Sequence, residues 1–241
     1  MKRPGPDATA VGRAVARVLG ALDWAALGEI YFHWGGEQFW KERLPKVGEL
    51  GERLAKELLR RVPRRGASLW VGAGVAELPV LFAEALLHER TVIAANLRER
   101  ECEVLNAGIA AAAPAVALRY GPGDARAVEP GRQFDHVGCI SVFTDPETWP
   151  LLSDVAYGRI APVQIDVERF VAEREQARQL AQGLFARLQL PGLLTTSAEE
   201  VAWFLEQAAA IGAEVDASEE LVETAVVGDP VGFLSIRAAT A

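Results

Sequence analysis

A glycine-rich tract around residue 72 is the part of the sequence whose residue types and spacing point most clearly to chemistry. It reads Ser68-Leu-Trp-Val-Gly-Ala-Gly-Val-Ala-Glu77 and includes the end of a short apolar run. Gly72 and Gly74 let the backbone turn sharply and approach a ligand closely, and a helix that begins directly afterwards offers free N–H groups. The tract therefore predicts a cofactor site, and the alternative is a tight strand-to-helix turn without a ligand.

The spacing of the glycines separates two classes of cofactor. A dinucleotide site requires G-x-G-x-x-G, and its third glycine position is occupied here by Glu77. A long acidic side chain is unfavourable beside a pyrophosphate, both in charge and in space. The second pattern is G-x-G-x-G, in which Ala76 is a conservative change at the third position. The tract therefore favours the second pattern over a nicotinamide or flavin site.

Other residues that can do chemistry follow later apolar runs. Asn96 directly follows the second run, and its amide can both donate and accept hydrogen bonds. The tract Gly121-Pro-Gly-Asp-Ala125 follows the third run. Asp145 follows the fourth and is the preferred candidate for a substrate contact or base, although a turn-initiating Asp-Pro explains it equally well. His33, in a Gly-flanked aromatic stretch, is a second catalytic candidate.

The elements that must position these residues change character near Gly66. Residues 1–65 are predicted to form a helical extension, because apolar residues between Val11 and Leu22 and between Leu50 and Val62 have helical spacing. In residues 66–241, short apolar runs alternate with amphipathic helices, which is typical of a parallel sheet covered on both faces. The predicted fold is therefore α/β, a Rossmann-like and mostly parallel sheet ending in an antiparallel hairpin.

The boundaries of these elements can be predicted as well. The expected parallel strands are Ala67–Val71, Thr91–Ala95, Ala115–Arg119, Phe134–Val142 and Gly192–Thr196. A long helix is expected over about Val167–Leu190, and Ser197-Ala-Glu-Glu200 has the form of a capping box that opens a helix through Ile211. The runs Leu221–Val227 and Val231–Arg237 are joined too tightly for a parallel connection, so they are predicted to pair antiparallel.

With its elements in this order, the segment from Gly66 to Ala239 resembles the class I S-adenosylmethionine-dependent methyltransferases. The likeness rests on the glycine turn, the order of elements, the final hairpin and the Gly-Asp-Ala form of residues 123–125. It implies S-adenosylmethionine as cofactor and methyl transfer as activity, with Asp124 accepting from the adenine amino group. The cofactor-binding residues that the resemblance implies are Gly72, Ala73, Gly74, Asn96, Leu97, Asp124, Ala125 and Ser141.

Two positions depart from the family pattern. Trp70 stands where the family carries an acidic residue two positions before the first glycine. Asn96 stands where an acid takes the ribose hydroxyls, with Glu99 as a substitute if the strand ends later. Because both changes remove charge, the alternative function is a non-catalytic binding or scaffold protein, and transfer of the aminocarboxypropyl group is a third.

Segments that precede the fold often form a lid in this family. The aromatic stretch Trp24–Trp40 is interpreted in that way, because large aromatic side chains exclude water and can contact a sulfonium cation. The alternative is that the stretch packs the helical extension onto the sheet.

Composition limits the partners and the location. The formal net charge of −8 argues against a nucleic-acid partner and favours a small-molecule or protein substrate. The two cysteines, Cys102 and Cys139, lie in apolar contexts, which indicates a reduced, cytoplasmic setting. We expect no signal peptide, no membrane span and no metal site. The scarcity of asparagine fits a thermophilic source, as a GC-rich genome also would, and the sequence leaves a homodimer open.

Overall fold

The short apolar runs that follow residue 66 form the strands of one mixed sheet. The computed structural model describes residues 7–31, 36–224 and 228–239. The strands are β1 (Ala67–Val71), β2 (Thr91–Asn96), β3 (Leu118–Pro122), β4 (Phe134–Cys139), β5 (Leu188–Ser197), β6 (Glu214–Ala217), β7 (Val222–Glu223) and β8 (Pro230–Arg237).

The order of the strands in space defines the architecture. The sheet runs β3-β2-β1-β4-β5-β8-β6, with β7 paired to the start of β8. Strands β1 to β5 are parallel, whereas β8 lies antiparallel between β5 and β6. This order confirms the predicted fold class, a Rossmann-like and mostly parallel sheet with an antiparallel end.

Helices cover both faces of this sheet. They are α1 (Ala8–Ala21), α2 (Trp24–Tyr31), α3 (Gly36–Leu59), α4 (Leu78–Leu87), α5 (Glu99–Ala112), α6 (Pro150–Ala156), α7 (Val167–Phe185) and α8 (Val201–Ala210). Because side chains alternate along a strand, Trp70 packs in the cluster that includes α1, α3, α4 and α5, while Leu69 and Val71 pack in the cluster with α7 and α8. None of the helices described is both long and apolar enough to span a membrane.

The N-terminal helices pack on α4 and α5 through apolar side chains. Val18 of α1 and Leu58 of α3 are fully buried in the same cluster as Phe82 and Leu105. The contact is close, since a Cβ atom on Gly108 would meet the side chain of Leu22 at 2.6 Å. In the part of the chain that the structure describes, the helical extension therefore shares a hydrophobic core with the sheet.

Four predicted boundaries were wrong for physical reasons. Strand β3 begins at Leu118 rather than at residue 115, because a turn in which Val116 N donates to Ala113 O delays it. Strand β4 ends at Cys139 rather than at residue 142, because Ser141 adopts a left-handed φ of +53°. Helix α7 ends before Leu188. Leu188 continues the helical spacing of apolar residues, but it occupies an inward position on β5, so β5 starts four residues earlier than predicted.

The end of the chain also differs from the prediction. Ser197 and Glu200 form no capping box: the Ser197 side chain makes no cap hydrogen bond, and a 3₁₀ turn over Ala198–Glu200 precedes α8. The run Leu221–Val227 was predicted to pair with the last strand. Its part β7 does pair with β8, and residues 225–227 lie outside the described part. The main outer partner is β6, which the sequence did not reveal because Glu214-Val-Asp-Ala217 is polar and largely exposed.

Candidate functional site

A cavity of about 940 Å³ opens at the carboxyl ends of the parallel strands. It lies at the reversal of the strand order between β1 and β4, which is where open α/β sheets bind ligands. Its volume is within the range of roughly 300–1,000 Å³ found for small-molecule sites. Of the predicted site residues, the cavity is lined by Gly72, Gly74, Asn96, Leu97, Asp124, Ala125, Ser141 and Asp145.

The turn after β1 has the backbone that its glycines permit. Gly72 has a φ of +69°, and a Cβ atom there would lie 2.9 Å from the side chain of Val142. The next glycine is held on both sides, because Gly74 N donates to Glu77 Oε2 at 2.7 Å and Tyr120 Oη donates to Gly74 O at 3.1 Å. Ala73, which was predicted to contact the cofactor, is buried in this turn and does not line the cavity.

Glu77, which argued against a dinucleotide, folds back onto the turn. Its carboxylate caps the Gly74 N–H, and burial raises the pKa of Glu77 above its ordinary value. The carboxylate therefore sits beside the glycines, where a dinucleotide would place its pyrophosphate.

Asn96 ends β2 with its amide already engaged. Nδ2 donates to Ala73 O and to Glu101 Oε2, both at 3.0 Å, and Oδ1 accepts from Arg98 N at 2.9 Å. Only one lone pair of Oδ1 is left by these bonds. Glu99, the proposed substitute, is exposed on α5 and does not line the cavity.

Leu97 follows on the rim of the cavity with its side chain unusually open to solvent. It is 65 % exposed, which is high for a leucine beside a buried strand. Such an apolar surface can be covered by the flat face of a ligand.

Asp124 also lines the cavity, after the neighbouring strand β3. Its carboxylate accepts from Arg126 N at 2.8 Å and from Arg126 Nε at 3.0 Å. The hydrogen bonds from the Arg126 guanidinium lower the pKa of Asp124, so the carboxylate stays ionised. Ala125 is buried beside it.

Hydrogen bonds join the loop after β4 to residues that are distant from it in the sequence. Ser141 N donates to Ser197 Oγ at 2.6 Å, and Ser141 Oγ donates to Asp229 Oδ2 at 2.8 Å. Tyr157 Oη donates to the same oxygen of Asp229 at 2.6 Å. Asp229 is only 6 % exposed, while Ser141 and Tyr157 both line the cavity. Burial and the Asp229 hydrogen bond raise the pKa of Tyr157 to about 12.

Glu200 supports the same loop from beneath. Its carboxyl group accepts from Phe143 N at 2.6 Å and from Thr196 Oγ1 at 3.3 Å. The side chain is fully buried, and burial raises the pKa of Glu200 to about 8. The residue that was expected to cap α8 therefore holds the cavity wall.

The two catalytic candidates from the sequence have different outcomes. Asp145 lines the cavity, but its carboxylate accepts from Thr148 Oγ1 at 2.7 Å and from Glu147 N at 3.2 Å, as in a turn. His33 lies outside the described residues. Within the described part of the chain, no group of three His, Cys, Asp or Glu side chains could hold a metal ion.

Three lining residues were not found by sequence reasoning. Tyr157 and Arg159 follow α6, and Trp149 precedes it. No spacing pattern marks them, because the chain segments that carry them meet only in the folded protein. Phe39 and Trp40 of α3 also line the cavity, and they belong to the aromatic stretch that the sequence singled out.

Comparison with known proteins identifies the fold. No family model matches the chain, and no curated protein matches its sequence. The methyltransferase from Pyrococcus furiosus superposes with a TM-score of 0.50 at 14 % identity, covering 78 % of this chain and 83 % of that chain. NSun6 from Pyrococcus horikoshii, solved with SFG, gives 0.50 at 12 % identity, covering 80 % and 51 %. The fold is that of the class I S-adenosylmethionine-dependent methyltransferases, so the resemblance is confirmed at the level of the fold.

Proposed function

We propose that this chain, which has the fold of the class I methyltransferases, is an S-adenosylmethionine-dependent methyltransferase acting on a small molecule. The observation that carries the proposal is the position of the cavity. It opens where the strand order reverses, and the exposed Gly72 lines it. The acidic charge of −8 supports a substrate other than nucleic acid.

The lining residues fit S-adenosylmethionine in several respects. The exposed Leu97 offers an apolar surface to a nucleobase, and the ionised Asp124 can accept a hydrogen bond from its amino group. The remaining lone pair of Asn96 Oδ1 can accept from a ribose hydroxyl. We therefore assign the nucleoside to the side of the cavity formed by the ends of β1, β2 and β3.

When bound, S-adenosylmethionine supplies a methyl group that is already activated on a sulfonium. The protein then contributes positioning and the exclusion of water. Phe39 and Trp40 line the cavity from α3, and the ring of Trp40 lies 6.1 Å from that of Trp24. We propose that this aromatic segment acts as the lid expected from the sequence.

A base is needed only if the acceptor atom carries a proton. Tyr157 provides a route, since its oxygen can take that proton while its own proton passes to Asp229 Oδ2, 2.6 Å away. Because Asp145 is held in a turn, we place proton transfer at Tyr157 and Asp229 rather than at Asp145.

Product analysis tests the proposal. The protein is incubated with S-adenosylmethionine and a panel of hydroxyl, amine and thiol acceptors, and the nucleoside products are measured by mass spectrometry. Release of S-adenosylhomocysteine is expected, with a fall of about 10²–10⁴-fold in Tyr157→Phe for an acceptor that must lose a proton. Methylthioadenosine as product would instead indicate aminocarboxypropyl transfer. If Asp145→Asn loses activity while Tyr157→Phe keeps it, Asp145 is the base instead.

A further inference from the structure

Among the residues that the structure describes, one of the three arginines that line the cavity has no ionic partner. Arg98 pairs with Glu147 at 2.6 Å, and Arg126 pairs with Asp124 at 2.5 Å. The third lining arginine, Arg159, forms no ion pair with any residue that the structure describes. Arg159 therefore lines the cavity with a charge that no carboxylate of the described residues pairs, in a chain whose net charge is −8.

Local structure fixes where this guanidinium lies. Gly158, with a φ of +63°, turns the chain after α6, and Arg159 N donates to Asp154 O at 2.7 Å. The guanidinium carbon lies 4.6 Å from the centre of the Tyr157 ring, within the range of a cation–π contact. Tyr157 is in turn fixed by its hydrogen bond to the buried Asp229. Arg159 is thus placed on a supported aromatic platform.

A second unpaired group lies on the same side of the cavity. Trp149 is 7 % exposed, and its indole N–H has no hydrogen-bond partner among the described residues. Buried donors are rarely left unpaired, and each such exception requires a functional or structural explanation. Trp149, Tyr157 and Arg159 all follow β4, away from the ends of β2 and β3 to which the nucleoside is assigned.

From this arrangement we infer that the acceptor substrate is a small organic acid with an apolar or aromatic body, and that its carboxylate pairs with Arg159. That this acid is the methyl acceptor rests on the proposed function, whereas the carboxylate site at Arg159 does not. A monoanion matches a single uncompensated guanidinium, whereas a phosphate dianion would need the other two arginines, which Glu147 and Asp124 neutralise.

A pair of isosteric probes tests the charge requirement. Benzoate and its neutral analogue benzamide are titrated calorimetrically into the full-length protein, with and without S-adenosylhomocysteine. We expect benzoate to bind about tenfold more tightly than benzamide, and Arg159→Gln to abolish the difference. Arg159→Lys should keep part of it, and the preference should weaken at high salt. Arg174→Gln is the matched control, because Arg174 is exposed on α7, outside the cavity, with no ion pair among the described residues.

The outcomes separate this inference from the proposed function. Any of three results would overturn the carboxylate inference. The first is equal affinity for the two probes, and the second is no binding of benzoate at 10 mM, roughly the weakest Kd that the titration needs to detect. The third is an unchanged preference for benzoate in a folded Arg159→Gln protein. A benzoate preference that depends on Arg159 in a protein that ignores S-adenosylhomocysteine would uphold the carboxylate site while the methyltransferase proposal fails.

Discussion

Polar side chains gather in two regions of this molecule, one closed beneath the sheet and one open at its carboxyl edge. In the closed region, the fully buried Arg90 donates to Glu84 Oε2 at 2.9 Å, to Ser68 Oγ at 3.0 Å and to Asp135. In the open region, and among the residues that the structure describes, Arg159 has no ionic partner and the indole N–H of Trp149 has no hydrogen-bond partner. Where the protein pairs its own charges the polar groups serve the fold, and where it leaves them unpaired they can serve a ligand.

The closed region also explains the departure at Trp70. Its indole Nε1 donates to Glu84 Oε1 at 2.6 Å, and its ring lies where a Cβ atom on Gly138 would be. Burial acts to raise the pKa of Glu84, but His136 and Arg90 more than offset it, so the pKa lies below its ordinary value. Trp70 therefore belongs to a structural network of the core.

The largest expected effect comes from breaking the closed region. Arg90→Met should lower the free energy of unfolding by about 3–5 kcal/mol, because it leaves the buried Glu84 carboxylate without its guanidinium. Arg64→Met is the control, since the pair of Arg64 with Glu89 is exposed and should contribute less than about 1 kcal/mol. Urea unfolding of both variants measures the difference, and equal losses would contradict the structural role.

Glu200, in the cavity wall, predicts a dependence of stability on pH. Its folded pKa of about 8 lies above its unfolded value, so the folded state keeps a proton that the unfolded state has lost. Stability from this group is present at acidic pH and is lost as the pH rises to about 8. Between pH 6 and pH 8 the free energy of unfolding of the wild type should fall by about 2–3 kcal/mol relative to that of Glu200→Gln. Urea unfolding of both proteins at both pH values measures this difference. Parallel curves for the two proteins would contradict the assignment.

Within the open region, Asp124→Ala should reduce affinity without affecting the fold. Loss of the proposed adenine contact should weaken S-adenosylhomocysteine binding by about 1–3 kcal/mol, measured by calorimetry. Asp216→Ala, on the exposed strand β6, should leave affinity unchanged. If a folded Asp124→Ala protein binds as tightly as the wild type, the nucleobase lies elsewhere.

The smallest effect concerns the dynamics of the proposed lid. Amides around Phe39 and Trp40 should exchange hydrogen faster than those of β1 and β4, and should become protected when S-adenosylhomocysteine is added. Hydrogen exchange followed by mass spectrometry compares the segments in one experiment. If this segment is as protected as β4 and the ligand changes nothing, its aromatic side chains are core packing.

The sequence revealed those parts of the molecule in which local pattern and tertiary role agree. Strand β1 was predicted with its observed bounds, because its apolar run is buried along nearly its whole length. Strand β6 was missed because its residues are mostly polar and exposed and are held in the sheet by pairing with β8. The glycine turn was predicted because its backbone requirement is visible in residue type.

Side-chain partners in the site could not be predicted in the same way. Tyr157 and Asp229 are 72 residues apart, and Asp229 lies in the tract Gly228-Asp-Pro230, whose residue types indicate a turn rather than a site. The engagement of the Asn96 amide by Ala73 and Glu101 depends on how the turn after β1 meets α5. Such pairings arise from the approach of separate elements and leave no mark in local spacing.

The central claim is that the open region binds a nucleoside cofactor at the Gly72 turn, and calorimetric titration with S-adenosylhomocysteine tests it most directly. We predict a Kd below about 100 μM, equivalent to about −5.5 kcal/mol. Gly72→Ala should weaken binding at least tenfold, whereas Gly212→Ala, which carries a similar positive φ of +66° away from the cavity, should not. Absence of heat and of any thermal shift at millimolar ligand would contradict the claim and favour a scaffold protein with this fold.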